Sequence, residues 1–233
     1  MRLFAIADPH LSKAQPKPMD IFGENWQGHP ELFFENWRKT VSEDDLVLIP
    51  GDISWAMKLE DALLDLNDIA ALPGQKVLLR GNHDYWWPAI SRLRKALPDG
   101  MFAIQNDALK IGNVVIAGTR GWVLPGSADF DIKDQKIFDR ELARLELSLA
   151  AAERIKSNND YFVIMLHFPP GGLGLEPKQL TTLIKEAKPN ALVYGHIHSE
   201  KPLPALPELG EIDVHFVASD ALKFTPKLIS ELI

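Results

Sequence analysis

The chain has 233 residues, enough for one large domain or two small ones, and it can bury a substantial core without cross-links. It contains no cysteine, which excludes disulfide frameworks, thiolate zinc sites, iron–sulfur clusters and cysteine nucleophiles. Its 25 basic and 32 acidic residues give a formal charge of −7, a poor match to a protein that wraps nucleic acid through its phosphates.

In chain order, the first apolar run is Leu3–Ala7, which ends on Asp8-Pro9-His10. It reads as a buried strand and is too short for a signal-peptide core, so a cytoplasmic location is expected. No apolar run approaches the ~18 residues that span a membrane, and no membrane partner is expected. Lys13–Pro18 is polar and Pro-rich and reads as a surface loop, followed by a helical pattern over Glu31–Val41. Leu46–Ile49 is a second strand, running into Pro50-Gly51-Asp52. Glu60–Leu72 is a helix stopped by Pro73-Gly74. Val77–Leu79 is a third strand, running into Arg80-Gly81-Asn82-His83-Asp84. Pro88–Leu97 is a helix with proline in its first turn, where the missing N–H costs nothing.

A strand at Val114–Ala117 leads into Gly118-Thr119-Arg120-Gly121-Trp122. The longest helix runs from Asp134 to about Lys156. Its Phe138, Leu142, Leu145, Leu149 and Ala152 fall on one face, favouring a helix laid on a sheet over a coiled-coil seam. Phe162–Leu166 is a strand ending at His167, followed by a Gly/Pro-rich loop, Pro169–Lys178, that has the glycines of a lid or a plain turn. Pro177–Ala187 is helical, Ala191–Val193 is a strand leading to Gly195-His196-Ile197-His198, Pro202–Pro207 is a loop, and Val214–Val217 is a last strand. Strands alternating with helices predict an α/β layered fold with much parallel sheet. No repeat or long linker divides the chain, so a single domain over 1–233 is expected.

The chemistry gathers at the strand ends, where open α/β sheets form their sites. Asp8, His10, Asp52, Asn82, His83, His167, His196 and His198 all lie there, and they include five of the seven histidines. Imidazole and carboxylate together suit divalent Zn, Mn, Fe or Ni. So many donors would crowd one ion, whereas two would share them, with a carboxylate bridging cations about 3.5–4 Å apart.

Asp8-x-His10, Gly51-Asp52, Gly81-Asn82-His83-Asp84, His167 and Gly195-His196-x-His198 form an ordered set that resembles the calcineurin-like metallophosphoesterases, from residue 8 to residue 198. The resemblance implies a four-layer α/β/β/α sandwich with two mixed sheets. It implies one metal on Asp8, His10 and His198, a second on Asn82, His167 and His196, and Asp52 bridging. It also implies hydrolysis of a phosphate ester by a hydroxide that two metals activate, with manganese among the candidate ions and His83 assisting the leaving group. Asp84 would orient the His83 imidazole or cap the helix near Pro88. Many relatives carry Asp or Asn three residues after the bridging aspartate, but here that position is Trp55. The third motif ends in Asp84 where Ser/Thr protein phosphatases have Glu, and both departures count against a dedicated protein phosphatase.

The expected partner is a small phosphate ester, nucleotide-like in that it carries a flat aromatic portion. Trp55 and Trp86 follow ligand-bearing strand ends and could stack such a group or cement their loops; Trp87, just before Pro88, reads as packing. Arg120 could clamp a phosphate or form an ion pair, while Arg80 would buttress the loop before Asn82. His29 and His215 lie outside the motifs and read as ordinary hydrogen-bonded histidines. A phosphodiesterase or nuclease, a metal-binding scaffold without turnover and a nucleotide sensor are the competing classes.

Overall fold

The computed structural model describes residues 1–172, 175, 177–198, 206 and 209–232. Among the described residues, ten strands form two five-stranded sheets. The first takes β1 (Arg2–Ala5), β2 (Leu46–Pro50), β3 (Gln75–Leu79), β4 (Met101–Ala103) and β10 (Lys227–Glu231), in the order β10-β1-β2-β3-β4. The second takes β5 (Ala108–Ile111), β6 (Val114–Thr119), β7 (Tyr161–Leu166), β8 (Ala191–Tyr194) and β9 (Asp213–Phe216), in that order. Each is parallel except for one antiparallel edge strand, β10 on β1 and β5 on β6.

Period-two alternation sorts each central strand onto two cores. Leu46 and Leu48 of β2 and Val77 and Leu79 of β3 point between the sheets, where they meet Val114, Ile116, Val163, Met165, Ala191 and Val193. The intervening Val47, Ile49 and Leu78 face the helices α1 (His29–Thr40), α2 (Leu59–Ala70) and α3 (Ile90–Ala96). On the far side, Val115, Phe162, Ile164 and Leu192 face α4 (Ile132–Ile155) and α5 (Lys178–Ala187). The layers are therefore helix, sheet, sheet, helix. With both faces of every central strand buried, the apolar runs are continuous, which is why they stand out in the sequence.

The apolar stripe of α4 lies on a sheet, with Phe138, Leu145 and Ala152 buried against the second one. That helix starts two residues before Asp134, because Asp131 caps it and Asp134 returns the bond to the Asp131 N–H at 2.9 Å. Three strands gave no readable signal. β4 has three residues, β5 is half-buried along much of its length, and edge strand β10 buries only Ile229. Parts of the loop expected at Pro169–Lys178, and all but Leu206 of Pro202–Pro207, lie outside the described residues.

The two sheets are stitched together at one end. Past β1, the Ala7 N–H donates to Val217 at 2.7 Å and the Ala7 carbonyl accepts from Ser219 at 2.9 Å, while the Asp8 N–H donates to Gly51 at 3.0 Å. These bonds bring the carboxyl ends of β1 and β2 to those of β8 and β9.

Candidate metal centre

Seven of the residues singled out in the sequence meet where those ends converge. Asp8, His10 and His198 form one group, and Asp52, His167 and His196 a second; within each group the donor atoms lie within 4.8 Å of one another. Asn82 joins the second, its Oδ1 lying 2.7 Å from His167 Nε2. Asp52 stands between the groups, with Oδ2 at 3.9 Å from His10 Nε2 and 3.4 Å from His167 Nε2. His10 Nε2 and His198 Nε2 face each other at 3.2 Å.

The backbone bends to aim these side chains. Asp8, His10, Asp52 and His196 all have positive φ, between 47° and 70°. Non-glycine residues adopt this conformation at a cost of about 1–3 kcal/mol each, and they persist there when the surroundings over-determine them. The neighbouring glycines permit the close approach. A Cβ on Gly81 would collide with the Asp52 backbone and carboxylate, and one on Gly195 would collide with the Asp8 carboxylate.

Buried partners orient the ligands. His167 Nδ1 lies 2.9 Å from the Pro50 carbonyl oxygen, which turns Nε2 toward Asp52 and Asn82. The His83 N–H donates to Asp52 Oδ1 at 2.8 Å, and the His196 N–H donates to Asp8 Oδ2 at 2.9 Å. His198 Nδ1 lies 3.3 Å from Asp220 Oδ1, the carboxylate–histidine pairing that fixes a metal-binding ring. Asp220 was not singled out in the sequence, although it follows the strand Val214–Val217 as the other donors follow theirs. Phe168, 3.9 Å from the His196 ring, and Trp26, edge-on to His10 and His198, complete the aromatic packing.

The electrostatics fit cations. Burial lowers the His10 and His196 pKa values, the latter to about 3, leaving the neutral imidazole that a metal requires. Burial pushes the Asp8 carboxyl up to about 7 against the pull of His167. Burial also raises Asp52, but the charge and hydrogen bond of His167, the charge of His10 and the His83 N–H together outweigh it and hold that carboxyl below its usual range. Burial lowers His167 in turn, yet the Asp52 and Asp8 carboxylates and the Pro50 carbonyl together lift it to about 9, and a cation bound there would take that proton's place. Asp8 Oδ1 and His10 Nδ1 are buried and have no hydrogen-bond partner among the described residues. An unpaired buried carboxylate oxygen is costly, and a cation beside it would remove that cost. The residues present therefore fit a divalent metal.

Three expectations need correcting. Asp84 neither orients His83 nor caps α3, whose N-terminus has no side-chain cap. Its fully buried carboxylate accepts from the N–H groups of Asp52, Ile53, Ser54 and Gly81 and from the Trp86 indole, at 2.8–3.3 Å. It thus clasps the loop after β2 to the loop after β3. Asp84→Ala would leave five donors without their acceptor, and we expect a loss of at least ~3 kcal/mol. Denaturant unfolding checks this, and an unchanged midpoint would show that the amides find other partners.

Trp86 is the second correction. It is 2% exposed and spends its indole N–H on Asp84, so it cannot border the cleft. Arg120 is the third. Of its two readings the ion pair holds and the clamp at the metal cleft does not: it lies in a separate cavity, 3.5 Å from Glu141 and over the Trp122 ring, away from the cleft. The cleft beside the metal groups is lined by His10, His83, His198, Trp55, Tyr85, Phe22 and Lys17 among others. Trp55 borders it as expected, but its π-face already meets His10 at 4.8 Å, and Lys17 Nζ lies 3.1 Å from its ring centre. Tyr85 and Phe22, 54% and 63% exposed, offer the open aromatic faces that sequence reasoning assigned to tryptophan. His29 and His215 stand outside the donor groups, His29 against the Trp26 and His10 carbonyls and His215 at 3.0 Å from Asp213.

A four-layer α/β/β/α sandwich with paired His/Asp groups at its converging strand ends is the frame of a candidate metal centre. The chain belongs to the calcineurin-like phosphoesterase family, whose sequence profile matches residues 1–200. The fold is shared with a protein of unknown function, AQ665, from Aquifex aeolicus, at 16% identity and TM-score 0.50, covering 97% of this chain and 95% of that one. It is also shared with the phosphopantetheinyl hydrolase PptH from Mycobacterium tuberculosis, at 14% identity and TM-score 0.54, covering 98% and 95%. No curated protein sequence matches significantly. Among the described residues no helix is long and apolar enough to cross a membrane.

Proposed function

We propose that the protein hydrolyses a small phosphate ester with the aid of two divalent cations. The observation that carries this reading is the pairing of two three-donor groups around one carboxylate, Asp52. Asp8, His10 and His198 would hold one ion, Asn82, His167 and His196 the other, and Asp52 would touch both. Bound there, Mn, Fe, Zn or Ni ions would supply Lewis acidity and an activated water.

The protein's own side chains do the rest. His83 lines the cleft beside His10 and His198 without belonging to either donor group, so its imidazole is available to give a proton to the leaving oxygen. Its position is fixed from below by the bond from its backbone N–H to Asp52. Lys17 places an ammonium on the same cleft, where it would draw in an anionic ester. Tyr85 and Phe22 provide flat or apolar surface for the ester's organic part, which favours an aromatic or nucleobase group. The net charge of −7 supports a small molecule over a nucleic acid.

The test is to strip the protein with a chelator and add back Mn²⁺, Fe²⁺, Zn²⁺ or Ni²⁺ singly. Each form is assayed on p-nitrophenyl phosphate and bis-p-nitrophenyl phosphate. Turnover of at least one ester, abolished by the chelator and restored by an ion, is the expected result. Absence of turnover with every ion, in protein shown to bind metal, would overturn the reading in favour of a scaffold or sensor.

A further inference from the structure

Between the ends of β3 and β6 and helix α4 lies another cavity, of about 270 Å³, that shares no lining residue with the cleft. Its walls carry four arginines, Arg80, Arg120, Arg140 and Arg144, against a single carboxylate, Glu141. Four cations less one anion leaves three positive charges facing one another. Glu141 is already engaged. It is 3% exposed, it accepts from Thr119 Oγ1 at 2.6 Å and from Arg144 Nη1 at 2.6 Å, and it lies 3.5 Å from Arg120. Among the described residues no carboxylate lies within ion-pair distance of Arg80 or Arg140.

The inside of the cavity is also short of acceptors. The Nε–H groups of Arg80 and Arg120 are buried and have no hydrogen-bond partner among the described residues. Burial lowers the Arg120 pKa; Glu141 opposes this, and the charges of Arg80, Arg144 and Arg140 lower it further, so these guanidinium groups sense one another. A purely structural cluster would be expected to pair its cations and satisfy its buried donors. Guanidinium groups present flat forks that match the oxygens of phosphate, and several converging on one space form an oxyanion site.

We propose that this arginine cavity is an oxyanion-binding site, distinct from the metal cleft, that takes a phosphate group. The group is either free inorganic phosphate or the phosphate terminus of a larger ester. The cavity is tied to two of the loops of the second metal group. Arg80 stands two residues before Asn82, and the Arg120 carbonyl accepts from the His167 and Phe168 N–H groups at 3.1 and 2.9 Å. An anion held by these arginines would therefore settle the backbone that carries Asn82 and His167.

The proposal goes beyond hydrolysis and can be tested without it. Chelator-treated protein, free of metal and of turnover, is titrated calorimetrically with inorganic phosphate and, separately, with phenyl phosphate. Saturable binding of one equivalent of inorganic phosphate is expected. Arg140→Gln, at an exposed helix position, and Arg120→Gln, inside the cavity, should each weaken it about tenfold or more, the worth of one charge-assisted hydrogen bond. Arg140→Gln should melt as the wild type does, so its loss of binding cannot come from unfolding. Phenyl phosphate binding and competing at similar affinity identifies a site for an ester terminus; binding of inorganic phosphate alone identifies a site for the free ion. Absence of saturable phosphate binding overturns the proposal. So does binding that survives both substitutions, which would place the anion at the histidines instead.

Discussion

On the proposed two-cation reading, Asp52→Asn should weaken metal binding at both donor groups and cost most of the activity. Asp52 is 1% exposed and, among the described residues, is the one carboxylate that lies within 4 Å of a histidine from each donor group. Two cations held about 3.5–4 Å apart repel each other, and a shared carboxylate offsets that repulsion at both. Asparagine has nearly the same shape and keeps an oxygen for the His83 N–H, now bonded at 2.8 Å, so the loop need not move. What it lacks is the charge. Purified Asp52→Asn protein should hold fewer than two equivalents of metal by elemental analysis. Its kcat/KM should fall on the order of 10²–10³-fold, the usual cost of removing one preorganised electrostatic group. A melting temperature near that of the wild type would confirm that folding is intact. Two full equivalents of metal with normal turnover would refute the bridging role.

The layers and the site were legible in the sequence for the same reason. A strand buried on both faces must be an unbroken apolar run, and a parallel sheet delivers the ends of its strands to one edge. The run Leu46–Ile49 and the motif after it therefore announce both the core and Asp52. What did not show was anything that depends on partners distant in sequence. β10 contributes a single buried residue, Ile229, and gains its place by pairing with β1 more than two hundred residues earlier. Asp84 looked like a helper for its neighbour His83, but chain proximity misled. Gly51 turns the backbone so that the amides of Asp52, Ile53 and Ser54 point at Asp84, and those bonds win over any bond to the adjacent imidazole. Trp86 was misplaced by the same effect, since the carboxylate that gathers the amides also draws the indole N–H inward. Arg120 follows a strand end as the metal ligands do. However, its guanidinium is drawn to Glu141 on α4, 3.5 Å away, instead of to the donor groups.

His83→Ala should leave the metals in place and slow the reaction by on the order of 10²–10⁴-fold, the usual range for loss of a general acid or base. The side chain is outside both donor groups, yet its ring lines the cleft 5.9 Å from His10 and 4.6 Å from Trp55, centre to centre. An imidazole there can serve the leaving oxygen, or it can simply hold Trp55 upright. The two roles respond differently to the substrate. A proton donor matters most when the leaving group is a poor one, so His83→Ala should cost far more with an alkyl phosphate than with p-nitrophenyl phosphate, whose leaving group departs without help. A packing role predicts equal losses on both. It also predicts that His83→Phe, which keeps a ring against Trp55, restores the rate, whereas a proton donor would not be replaced by phenylalanine. Metal content should remain that of the wild type in both variants, because the contact to Asp52 is made by the backbone N–H of residue 83 and survives either substitution. Equal losses on the two esters, together with rescue by phenylalanine, would remove His83 from the chemistry and leave the leaving group to Lys17, among the described residues the one lysine or arginine lining that cleft.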